Sequence, residues 1–127
     1  MPTTTPAPAG VTPMPASYKN AVLSGVNYVR THNGEYTADP IDYLDSALSA
    51  MAQKHAEDMA AKGEIFHSGY GPESVSCGCA GMTNGENAGA QSAIHAPGLL
   101  DPEITRIGVG AAKSADGTIY LCVAGGK

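Results

Sequence analysis

No cluster of basic residues, no long apolar run and no tryptophan occur in this chain. Seven Lys and Arg face twelve acids, a formal charge of -5, so the electrostatic footprint for binding a phosphate backbone is missing and nucleic acid is not an expected partner. No apolar stretch approaches the roughly 20 residues that cross a bilayer, so no membrane span is expected. The start carries no charged segment followed by an apolar one, so no signal peptide is read there. The three cysteines include no C-x-x-C of thioredoxin type and no second pair for a zinc ribbon. G-x-S-x-G is also absent, which weakens Ser68 and Ser92 as hydrolase nucleophiles.

What is present fits one small domain behind a tail. Residues 1–16 hold Pro2, Pro6, Pro8, Pro13 and Pro15 among Thr and Ala with no charged side chain, and read as a disordered, extended linker. The domain proper is expected over residues 17–127. Ser17 can cap a helix whose Val22, Val26 and Val29 form one stripe, closed by Asn33-Gly34. His32, near that helix end, is expected to be structural.

Asp45 caps a stronger helix that runs to about Lys62, with Gly63 beyond it. Leu48, Met51, Ala52, His55 and Met59 share a face, and Lys54 and Asp58 can pair outside. His55 on that stripe is expected to be a hydrogen-bonded core histidine. Residues 68–84 have no periodicity and read as a long loop carrying Cys77 and Cys79, while residues 85–90 read as a short strand. Ile107, Val109 and Ala111 alternate with small residues, as do Ile119, Leu121 and Val123 with theirs, and Asp116-Gly117 lies between. These runs form a β-hairpin. The fold class is α+β.

Glu86 and His95 stand out in a segment of small and apolar residues, and His67 follows the second helix. Two imidazoles and a carboxylate suit a divalent cation such as zinc, leaving one position for water. Cys122 is expected to bond to Cys77 or Cys79, closing a loop of about 43 to 45 residues for roughly 4 kcal/mol.

The ordered series helix, His67-Ser68, Gly85-Glu86-Asn87, Ser92-x-x-His95, Leu99-Leu100-x-Pro102, Thr105-Arg106-Ile107-Gly108-Val109-Gly110 resembles the CAP superfamily, the SCP-like extracellular domains related to cysteine-rich secretory and pathogenesis-related proteins. The segment 30–33 is similar to that family's first-helix ending. The resemblance runs from about Tyr18 to the C-terminus and implies an α-β-α sandwich, secretion or surface attachment, and a cavity lined by two histidines and two acids. His67, Glu86 and His95 match three of those four positions. The fourth acid stands in the family on a helix ahead of a Trp-containing segment. Here only residues 88–94 separate Asn87 from His95, with neither acid nor Trp, so that helix is missing and the cavity is expected to be shallower. Asp101 and Glu103 are candidate substitutes for the acid, and Gln91 could only hydrogen-bond.

Two functions follow from the resemblance. One is an extracellular binding module for a small ligand, a lipid or a surface partner, its His67, Glu86 and His95 cavity taking a divalent metal. The other is a metal-dependent hydrolase of peptide or cell-wall material, which would need an acid besides the ligands.

Overall fold

The computed structural model describes residues 8–34, 37–69, 73–77 and 83–127. Its elements are β1 (Thr12–Pro13), α1 (Ala16–Thr31), α2 (Ser46–Lys62), β2 (Glu73–Cys77), α3 (Gly85–His95), a 3-10 turn at Pro97–Leu100, β3 (Arg106–Lys113) and β4 (Ile119–Gly126). The strands form one antiparallel sheet in the order β1-β3-β4-β2. The fold is α+β.

Alternation along the hairpin divides the interior into two cores, because neighbouring side chains on a strand point to opposite faces. Ile107, Val109, Ala111, Ile119, Leu121 and Val123 pack with Tyr18, Val22, Leu23 and Val26 of α1 and with Ala88 and Ala93 of α3. On the other face Ala112, Tyr120 and Cys122 pack with Ala52, Ala56, Met59 and Ala60 of α2. Helices therefore cover both faces of the sheet, giving three layers in the order α-β-α.

α2 follows its local signals closely. The Asp45 carboxylate accepts from Leu48 N at 2.9 Å, and Gly63 closes the helix at φ 71. A side chain at Gly110 would meet the α2 backbone at Ala52 and Gln53 about 2.1 Å away, so helix and strand lie almost backbone to backbone. Met51 is the exception to the expected stripe. It is half exposed, because the buried face centres on Ala52, Ala56 and Met59.

Helix and strand repeats coincide along this contact. Four residues of helix rise about 6 Å and two residues of strand about 6.7 Å. Accordingly Asp45 N donates to Ile107 O, Ser49 Oγ accepts from Val109 N, and the Gln53 carboxamide both donates to Ala111 O and accepts from Ala111 N. These contacts serve the stretch of β3 that the two-residue β1 leaves without a strand partner. An open strand edge would otherwise invite pairing with another chain.

Three expectations are corrected. Residues 8–16 do not behave as a linker: Thr12 and Pro13 pair with Lys113 and Ala112, and Met14 N donates to Ala111 O. Pro15, not Ser17, is the cap of α1, since its fixed φ of -68 and its carbonyl, which accepts from Tyr18 N and Lys19 N, start the helix two residues earlier. Part of the expected long loop is β2, whose alternation is too short and polar to signal a strand and which forms by pairing with β4.

Candidate functional site

The largest correction lies at Gly85-Glu86-Asn87, which opens a helix, not a strand. The Asn84 side chain accepts from Asn87 N at 3.0 Å, an N-cap that reads in hindsight as Asn-Gly-Glu-Asn ahead of a helix. The small residues taken as a strand let α3 press onto α1. A Cβ at Gly25 would lie 1.9 Å from Glu86 O and one at Gly89 1.9 Å from Val22 O. The close approach needs glycine from both helices.

This helix places Glu86 in its first turn and His95 at its last residue, both exposed. Nine residues of α-helix span about 13 Å and half a revolution beyond two full turns, so the two side chains leave opposite ends on opposite sides. They cannot be ligands of one ion. His67 lies in exposed chain after α2. Among the described residues no group of three or more His, Cys, Asp or Glu is placed to hold a metal ion. The three sequence candidates are thus not brought together as one donor set.

A groove of about 360 Å³ does lie between α1 and α3, lined by Gly25, Tyr28, Asn84, Glu86, Asn87 and Ala90. Gly25 and Ala90 are its small residues, and Glu86 supplies its only formal charge. Tyr28 is 59% exposed, and its ring is braced by His32, stacked at 4.3 Å between centroids and 16° between planes. His32 Nδ1 donates in turn to Tyr28 O at 2.8 Å. His32 is therefore structural, as expected, and its structure bears on the groove.

Other sequence candidates have structural duties. The Ser92 hydroxyl is buried and donates to Ala88 O at 2.9 Å, one helical turn back, which removes it from consideration as a nucleophile. His55 is buried and its Nε2 meets Phe66 O at 2.5 Å, with Phe66 edge-on to its ring and Lys62 Nζ 4.7 Å from the Phe66 centroid. That is the core histidine anticipated from its place on the α2 stripe. Asp101 caps the following turn by accepting from Glu103 N, and Glu103 pairs with Lys127 at 3.0 Å, so neither stands beside Glu86 as a replacement acid.

The cysteine expectation meets the register of the sheet. Cys77 lies opposite Tyr120, and Val75 lies opposite the buried Cys122. Diagonal neighbours in an antiparallel pair are about 7 to 8 Å apart at Cα, beyond the usual disulfide range. The register thus disfavours Cys77 as the partner of Cys122. Cys79 lies outside the described residues.

Arg30 went unnoticed as a site-forming residue. Only 1% exposed, it donates from Nε to Asp39 O, from one terminal nitrogen to Leu99 O at 2.7 Å and from the other to Ile104 O at 2.9 Å. Burial lowers its pKa, against the opposing pull of Asp39 and Asp101. With Asp101 O at 3.4 Å as a fourth acceptor, one guanidinium fork gathers carbonyls from the chain after α1 and the chain after α3, fixing the end of α1 against the turn that follows α3. Its sequence signals are a cation in the last turn of a helix and its place in the segment 30–33 that resembles the family's first-helix ending.

The three-layer architecture with α1 and α3 on one face and α2 on the other defines a CAP-type sandwich. The chain belongs to the CAP, cysteine-rich secretory protein family, whose model matches residues 23–124. No curated protein shows significant similarity to it.

Proposed function

We propose that this chain works outside the cell as a CAP-type binding module whose ligand occupies the α1–α3 groove. Family membership supports the class and the extracellular setting. The observation that carries the site is the groove itself, where an exposed aromatic ring, two carboxamides and a carboxylate meet over a floor of small residues.

A shared cation on His67, Glu86 and His95 does not enter this proposal, since α3 holds Glu86 and His95 at opposite ends. The metal-dependent hydrolase reading weakens for the same reason. Neither is any other acid or imidazole among the groove residues to protonate a leaving group. No helix of the described residues is long and apolar enough to cross a membrane.

The test measures hydrolysis of a general peptide substrate by highly purified protein, beside Glu86→Gln. Background rates in both are expected. Activity present in the parent and lost in Glu86→Gln would replace the binding module with an enzyme.

A further inference from the structure

We infer that the α1–α3 groove selects an organic ammonium group, such as a lysine side chain. The inference rests on the reading of that groove as the binding site and names the chemistry it prefers.

The groove carries an unbalanced charge. Glu86 is the only charged residue lining the groove, and no Lys, Arg or His lines it. The ion pairs among the described residues join Lys54 to Asp58, Arg106 to Asp45 and Lys127 to Glu103, leaving Glu86 without a cationic partner there. Any ligand that covers a carboxylate strips water from it, and that desolvation is offset only by an opposite charge or strong hydrogen bonds. A neutral ligand leaves the cost largely in place. An anion, including a lipid phosphate or a fatty-acid carboxylate, adds repulsion. An ammonium group cancels it.

Two further features favour the same class. Tyr28 lines the groove, the face of an aromatic ring attracts a cation within about 6 Å of its centroid, and the His32 stack holds this ring in place. The carboxamides of Asn84 and Asn87 supply oxygen acceptors, although that of Asn84 already receives Asn87 N. At about 360 Å³ the groove has room for the alkyl stem that carries the ammonium, not for the head group alone. The chain's formal charge of -5 also raises the local concentration of cations.

The experiment titrates the full chain with N-acetyl-lysine methylamide, following backbone amide NMR shifts at low salt, with Glu86→Gln and Tyr28→Ala as variants. Both side chains are exposed, and dispersed spectra check that each variant is folded. N-acetyl-norleucine methylamide, the uncharged analogue, and N-acetylglucosamine serve as neutral probes. The expected result is saturable shifts centred on Gly25, Tyr28, Asn87 and Ala90 with the lysine probe alone. Affinity should fall at least tenfold in Glu86→Gln and several-fold in Tyr28→Ala. Equal response to lysine and norleucine probes, or unchanged affinity in Glu86→Gln, overturns the ammonium inference. Groove shifts with N-acetylglucosamine and none with lysine overturn it too but leave the binding module standing. Silence of the groove toward all three probes overturns the inference and counts against the groove as the site.

Discussion

The two faces of the sheet are built on opposite plans. Against α2 the sheet offers glycine, alanine and two larger groups, Tyr120 and Cys122, so the helix descends until its backbone touches β3 and its polar Ser49 and Gln53 reach the strand's own amides. Against α1 and α3 the sheet offers Ile107, Val109, Ile119, Leu121 and Val123, and the glycines sit instead between the two helices. Small residues thus fall at the helix–strand seam on one side and at the helix–helix seam on the other. The α2 face is closed and satisfied, whereas the α1–α3 seam, where Tyr28 and Glu86 rise beyond Gly25, stays open as a groove.

The heaviest blow to this arrangement is Gly110→Ala. The new Cβ meets helix backbone, which cannot swing aside as a side chain can, so a loss of about 3 kcal/mol or more is expected in urea unfolding. If Gly110→Ala costs no more than a surface substitution, α2 is not seated on the strand backbone.

Arg30→Met ranks next, at about 3 kcal/mol, because the buried Leu99 and Ile104 carbonyls lose their donor. Thermal unfolding measures it, and the loss should spare the α2 face, as judged by hydrogen exchange of the β3 amides.

Gln53→Ala should cost about 2 kcal/mol by leaving the Ala111 N–H without its acceptor, and should speed exchange of that amide before its neighbours. Equal protection in both proteins would mean the α2 edge contacts contribute little.

A smaller, pH-dependent difference belongs to the α1 face. Burial pushes the Tyr18 hydroxyl up to about 12, so the fold favours the neutral phenol. Its contribution is complete below pH about 10 and is lost as pH rises through about 12. Tyr18→Phe should flatten the decline in stability across that window, read by urea midpoints at fixed pH. Last, Lys54→Ala removes an exposed i,i+4 pair with Asp58 at 3.6 Å and should change stability by less than about 0.5 kcal/mol.

Where a signal was local, the sequence carried it. Asp45 and Gly63 mark both ends of α2 because a cap and a left-handed closure involve only residues within one turn. The β3–β4 hairpin is legible because its two strands join through a short connection with Gly117 at φ 90. His55 announced its core role by its place on an apolar stripe. Even Glu86 stands out as the lone acid in a run of small residues, although it lies in a helix where the sequence suggests a strand.

What stayed hidden is what distant segments impose on one another. Residues 85–90 are small enough for strand or helix, and only the approach of α1, which demands glycine at positions 25, 85 and 89, decides for the helix. That decision then separates Glu86 from His95 and puts Glu86 beside Tyr28, a partner 58 positions earlier that no spacing rule connects to it. β2 and β1 exist because β4 and β3 offer them edges, and the buried Arg30 is satisfied because four carbonyls from two other segments converge on it. By itself the sequence determined which residues could carry charge, cap a helix or line a core. The tertiary structure decided which of them meet, because helix–helix and strand–strand contacts gain free energy only when both partners are in place.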